Sequence, residues 1–462
     1  MTVTEGTTTM TQTTLLVSHK GVDLHAATAV RVMQRRLEGG DALRALHRGE
    51  LHTFWDAGDG RRVSDLLEIG RFFNPNKHHY GHFELAEAGE PWLGDLAQGG
   101  AALDPEGKEG AASLMAALLE EGAGDLDATQ FAEARESLAA RFGFSAGRDS
   151  VTVSARMLSE TRDEVVELLR TALVEPRFDT EPIERVRAQM ISALAEDETD
   201  PRTLAGRELY AQAFPDHVYA RPTDGTSKSV AGLTADDLRA VHRNALDRDR
   251  LQVAVVGDIT EAELGPVLDQ LFGDLAAPGV PLPEVAVPSL AGAQTVIDLP
   301  IPQSVVIFGH RGIDRDDPDF IPAFVLDHIL GGGGFGSRLT EEVREKRGLT
   351  YGIYTYLAPD DYGALYLGQF STANERAAEA IAIVRDEWAR MADGGVTEEE
   401  LEDAKRYLTG AYPLRFSGNA RIASQLLGIQ LADLGLDYVR ERNDLVEAVT
   451  VEDIVRVAQR LL

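Results

Sequence analysis

The chain predicts an α+β fold of two tandem homologous α+β domains, half of a clam-shell, with a small N-terminal α/β appendage. Three observations predict it. At 462 residues the chain is too long for one ordinary core, so two or three domains are expected. Similar segments recur in the same order in its two halves. A proline-rich stretch without helical period separates those halves.

The duplication rests on three anchors. FDTEPIERVRAQM (178–190) resembles VTEEELEDAKRYL (396–408), each with an expected N-cap threonine, Thr180 or Thr397, before acidic residues. GLTADDLRAVHR (232–243) resembles AVTVEDIVRVAQR (448–460). The gap from Thr180 to Thr234 is 54 residues and from Thr397 to Thr450 it is 53. Asp104-Pro105 and Asp317-Pro318 each precede an apolar helix, 76 and 80 residues before the threonine. The connector APGVPLPEVAVPSLAGAQ carries four prolines.

Taken in order, residues 1–72 read as strand TTLLVSH, helix HAATAVRVMQRRL, strand ELHTFWDA and helix RRVSDLLEI, an appendage with no assignable motif. FNPNKHHYGHFE (73–84) reads as a joining segment. The first domain is expected over 75–277, the linker over 278–294 and the second domain over 295–462. LQVAVVGDI (251–259), TVIDLP (295–300) and QSVVIFGHRG (303–312) read as buried strands.

Composition narrows the function classes. The 76 acidic against 45 basic residues leave a net charge of −31, which disfavours nucleic acid and anionic membranes as partners. It suits a basic peptide or partner subunit, and equally an acidic solubilising surface. The absence of cysteine excludes disulfides, thiolate metal sites and cysteine nucleophiles. No apolar run of about 20 residues predicts a membrane span. The N-terminal stretch shows no secretory pattern, so the expected location is cytoplasmic.

The most informative stretch is GGGGFGSRLTEEVREKRGLTYGIYTYL (331–357). It predicts a helix from about Ser337 to Lys346, stopped by Gly348, and a strand over Tyr351–Leu357. The turn brings Arg344 close to Tyr351. A guanidinium beside a phenol suits holding and polarising a carbonyl oxygen, although a solvated arginine and a half-buried tyrosine fit the same residues. Gly331, Gly332, Gly333 and Gly334 suit a flexible substrate-contacting loop or a turn where backbones approach closely. They form no phosphate loop, because the Gly-Lys-Ser/Thr ending is missing.

With these features together, residues 80 to 462 resemble the pitrilysin/insulysin superfamily of zinc peptidases, in its short two-domain, processing-peptidase-like branch. GGAALDPEGKEGAA (99–112), FPDHVYARPTDGT (214–226), LQVAVVGDI and SRLTEEVREKRGLTYGIY (337–354) carry the resemblance. Active members bear HxxEH on a helix, two histidine zinc ligands around a glutamate general base, and a later glutamate completes the metal site. The resemblance places those four positions on Ser113, Ala116, Ala117 and Ala193, none of which serves. No histidine occurs between His82 and His217, so a shifted alignment restores nothing.

The Arg/Tyr pair of the family's second domain falls on Arg344 and Tyr351, with Arg347 a nearby competitor. The resemblance implies a non-catalytic, substrate-binding subunit without a cofactor of its own. A homologous HxxEH partner would supply zinc, Arg344 and Tyr351 would grip peptide carbonyl and oxyanion, and the substrate would be a peptide or unfolded precursor. Two other classes stay open: a catalytically dead scaffold subunit, and a metalloprotein using His78, His79, His82 and Glu84. His217, His310 and His328 read as packing or turn residues.

Overall fold

A computed structural model describes residues 11–19, 49–56, 78–83, 92–290, 292 and 294–461, with side chains from residue 99 onward. Contacts divide the chain into an N-terminal unit, Met1–Gly89, and a main unit, Glu90–Leu462. In the N-terminal unit β1 (Thr11–His19), β2 (Gly49–Asp56) and β3 (His78–Phe83) form an antiparallel sheet of order β2-β1-β3. β1 and β2 are the two strands expected there. The supposed joining segment instead supplies β3, which pairs antiparallel along β1 from Thr14↔Phe83 to His19↔His78. The two expected helices fall outside the described residues.

The main unit holds two antiparallel sheets, one per lobe. In the first lobe, β4 (Trp92–Gln98), β7 (Arg141–Ala146), β8 (Ser150–Arg156) and β9 (Leu251–Val256) run in the order β7-β8-β4-β9. β5 (Gly122–Ala123) and β6 (Leu126–Asp127) make a small ladder of their own. In the second lobe, β10 (Gln303–Arg311), β11 (Ile353–Asp360) and β12 (Gly363–Ala373) run in the order β10-β12-β11. The expected strand TVIDLP does not form. Prolines follow it, it has no partner strand among the described residues, and Val296 and Ile297 are exposed.

First-lobe helices are α1 (Ala111–Leu118), α2 (Ala128–Ser137), α3 (Arg162–Val174), α4 (Thr180–Asp197), α5 (Pro201–Ala213), α6 (Ser227–Ala231), α7 (Ala235–Ala245) and α8 (Glu261–Phe272). Those of the second are α9 (Phe320–Asp327), α10 (Ala377–Gly394), α11 (Glu398–Ala411), α12 (Asn419–Leu431), α13 (Tyr438–Glu447) and α14 (Val451–Leu461). The repeat is visible in packing: α1 lies on α7 as α9 lies on α14. Thr234, Thr397 and Thr450 cap α7, α11 and α14 through reciprocal bonds with Asp237, Glu400 and Asp453. Thr180 departs from this. It is the first helical residue of α4, and Asp179 is the N-cap. The Asp-Pro anchors also differ in use. Asp104 accepts from the Gly110 and Ala112 amides ahead of α1, whereas Asp317 pairs with Arg460 of α14.

Each lobe has its own apolar core, one centred on Leu114, Met115, Leu118 and Leu169, the other on Leu326, Leu330, Val343 and Ile454. The lobes also exchange helices. α5 packs on β10 of the second lobe, and α12 packs on β4 and β9 of the first, with Ala423 and Leu427 against Ala254. The connector is strung between them: Ala286 donates to the Tyr362 carbonyl and Ser289 to that of Ala213.

Candidate functional site

The helix after Ser337 begins at Arg338 and widens into a π-type turn over Thr340–Glu345. Gly348, at φ 59°, closes it. Its amide donates to the Arg344 carbonyl at 2.8 Å, and the Leu349 amide to that of Val343 at 2.9 Å. β11 opens only at Ile353, so Tyr351 lies in the turn before the strand rather than within it. The backbone reversal sets the Arg344 guanidinium 5.5 Å from the centre of the Tyr351 ring. Phe335, from the Gly334–Gly336 turn, lies nearer still at 4.4 Å. Tyr351 is 93% exposed and Phe335 is 74% exposed.

The structure therefore brings Arg344 and Tyr351 together and adds Phe335. An isolated phenylalanine between two glycines carries no periodicity, so only its glycine flanks hinted at an unusual placement. Arg344 has one weak ion pair, with Glu345 at 3.5 Å. Arg347 is engaged elsewhere: Nη1 donates to the Glu342 carbonyl at 2.7 Å and to its carboxylate at 2.5 Å. Lys346 and then Arg347 hold the Glu342 carboxyl below its usual range. Of the two candidates, Arg344 has the freer guanidinium.

Three of the four glycines are packed. A Cβ on Gly331 would meet Thr355 Oγ1 at 2.4 Å, on Gly332 Asp327 Oδ2 at 2.3 Å, and on Gly333 the His328 carbonyl at 2.4 Å. They allow α9 to continue through a π-type turn, His328–Gly332, against β11. Gly334 alone has open space around it, at φ 60°. Beneath the run, Asp327 Oδ1 accepts from Thr355 Oγ1 at 2.6 Å, and burial pushes the carboxyl pKa up to about 6.

At the four positions matched to the family's zinc site, the chemistry does not fit a metal. Ser113 Oγ donates to Asp224 Oδ1 at 2.9 Å, Ala116 is 1% exposed within the core, and Ala117 and Ala193 are solvent-facing methyls. Among the described residues no group of three His, Asp or Glu side chains is placed to hold a metal ion. The PTDGT segment lies against α1, since a Cβ on Gly225 would stand 2.1 Å from the Glu109 carbonyl. β3 contains His78, His79 and His82; Glu84 lies outside the described residues.

The three further histidines singled out from the sequence have structural partners. His217 Nε2 contacts the Glu284 carbonyl of the connector at 2.9 Å, His310 packs on Tyr366 and Trp388, and His328 stacks on Tyr407 at 4.9 Å.

Two family models match consecutive stretches, "Insulinase (Peptidase family M16)" over residues 96–227 and "Peptidase M16 inactive domain" over 232–408. A crystal structure titled peptidase M16 inactive domain, from Pseudomonas fluorescens, is 30% identical, with a TM-score of 0.74 over 82% of this chain and 91% of that one. The chain belongs to the insulinase family. Its similarity extends to the non-peptidase homolog YmxG of Helicobacter pylori, 28% identical over 71% of this chain and 76% of that protein. It extends also to an uncharacterized zinc protease of Mycobacterium tuberculosis, 27% identical over 76% of this chain and 81% of that protein. Within the insulinase family this is an inactive homologue.

Proposed function

We propose that this chain is the substrate-binding, non-catalytic subunit of a heterodimeric zinc peptidase. The observation that carries the reading is a half-buried guanidinium beside an exposed phenol, retained in a chain where the resemblance assigns serine and alanine to the zinc-site positions. A scaffold has no need of that pair. A homologous HxxEH subunit supplies the zinc and the general base; relatives named zinc proteases support the existence of such chains. In the assembled enzyme Arg344 holds a peptide carbonyl near the scissile bond. The Tyr351 hydroxyl donates to the oxyanion of the tetrahedral intermediate, and loss of one such donor costs about 10²–10³ in rate. The chamber between the two subunits admits peptides or unfolded precursors, in the cytoplasm.

The test is peptide cleavage by this chain, by its partner and by the two mixed. Activity is expected only in the mixture, or strongly enhanced there. Comparable cleavage by the partner alone would refute the contributed half-site and favour a scaffold role.

A further inference from the structure

The second lobe holds a cavity of about 350 Å³ that includes neither Arg344 nor Tyr351. It lies among α9, the Tyr356–Leu357 stretch of β11, α12 and α13. Three arginines line it, Arg315, Arg415 and Arg442. In a chain of net charge −31, none of these three has a carboxylate at ion-pair distance among the described residues. The contacts of Arg315 and Arg442 are with neutral groups. Arg315 Nη2 donates to the Tyr438 hydroxyl at 2.8 Å and lies 4.2 Å over the Phe320 ring. Arg442, 5% exposed, donates to the Leu408 carbonyl at 2.9 Å and to Asn443 Oδ1 at 3.1 Å.

A second observation is independent of the charges. Tyr412 also lines the cavity, is 7% exposed, and its buried hydroxyl has no hydrogen-bond partner among the described residues. A buried polar group in that state calls for a ligand or water. Water satisfies a phenol but leaves the buried Arg442 charge uncompensated, whereas an oxyanion answers both, with half-buried Arg315 and exposed Arg415 at the cavity's margin. The one carboxylate on the cavity wall, Asp327, is committed to Thr355. The rest of the wall sets the apolar side chains of Ile321, Phe324, Leu357, Ile429 and Leu434 beside the neutral polar Ser424 and Gln425.

We propose that this cavity binds a small organic anion, a carboxylate or phosphate on an apolar body. Arg315, Arg415 and Arg442 supply the charge, and the Tyr412 and Tyr438 hydroxyls donate to the anionic oxygens. Forked guanidinium donors match both head groups. The apolar side chains of the wall separate an organic anion from an inorganic one. The site stands apart from the peptidase reading and survives its failure.

The test is calorimetric titration of the intact chain with phenyl phosphate, phenylacetate, inorganic phosphate and benzyl alcohol. Saturable one-to-one binding of phenyl phosphate or phenylacetate is expected, with the tighter of the two identifying the head group. Inorganic phosphate is expected to bind at least about tenfold more weakly, and benzyl alcohol not at all. Tyr412→Phe removes a hydroxyl that has no partner among the described residues of the free protein, so its unliganded Tm stays level or rises while anion affinity falls about tenfold. Arg315→Gln lowers affinity by at least as much. Absence of saturation by both organic anions, inorganic phosphate binding as tightly as phenyl phosphate, or wild-type affinity in both variants would each overturn the proposal.

Discussion

At the scale of single residues, the molecule separates two kinds of substitution. Tyr351 is exposed and Arg344 is partly so, with a single long ion pair to Glu345 among the described residues, so Tyr351→Phe and Arg344→Ala should leave stability within about 0.5 kcal/mol of the parent. Each should reduce cleavage by the mixed subunits at least about tenfold without blocking assembly. Phe335→Ala removes the closer of the two rings beside Arg344, an interaction of about 0.5–1 kcal/mol. It should cost a few-fold in kcat/KM at unchanged Tm. Ala116 behaves oppositely. It is embedded beside Leu114 and Met115, so Ala116→Glu, intended to restore the general base, should destabilise by at least about 2 kcal/mol in urea denaturation. Much of this was legible in the chain. The spacing of Arg344 and Tyr351 about Gly348 specifies a reversal, and serine and alanine at the zinc positions speak plainly. Phe335 was not legible, because its place depends on a glycine turn with no period. Nor was the packing of Gly331–Gly333, which follows from contacts with Thr355 and Asp327 distant in sequence.

At the scale of elements, the helix bearing Arg344 is tied down at its start. Arg338 makes a two-pronged pair with Glu400, at 2.7 and 2.8 Å, and donates to the Gly395 carbonyl. Glu400 also accepts from Thr397 in the capping box of α11. Arg338 and then these bonds depress the Glu400 carboxyl to about 2, below the usual 4.5. A depressed pKa contributes stability that is complete above about 4.5 and disappears as pH falls toward 2. Glu400→Gln should cost about 1–2 kcal/mol at neutral pH, and the deficit should vanish in acid, as read by urea unfolding across pH. The capping signature at Thr397 announced its helix. Thr180 misled because Asp179, one residue earlier, also suits an N-cap. TVIDLP looked like a strand by composition, but a strand needs a neighbour, and nothing local reveals its absence.

At the scale of the whole molecule, hairpin ends from the two lobes meet. Asp149 of the β7–β8 loop accepts from the Tyr219 hydroxyl at 2.7 Å and from the Asp361 amide at 3.1 Å, and the Tyr362 amide donates to Tyr219. Tyr210 and Arg148 bind Asp360 beside them. Burial raises Asp149 and Asp360 and pushes Asp361 up to about 6, with neighbouring acids adding to the shift at Asp360 and Asp361. A raised carboxyl pKa contributes stability that is complete below about 3.8 and is lost as pH rises through about 6. Hydrogen exchange at the Tyr362 amide should therefore show less protection at pH 7 than at pH 4.5, after correction for intrinsic rate, and Asp361→Asn should flatten that slope.

The reciprocal seating of α5 and α12 has a mechanical consequence. A single peptide-bond cut in the connector leaves two pieces that hold each other, so a nicked preparation should travel as one species on a sizing column and come apart only in denaturant. Ancestral copies that each lend a helix to the other cease to be separable goods: neither can be shed, borrowed by another gene or replaced by an unrelated module without unmaking its twin.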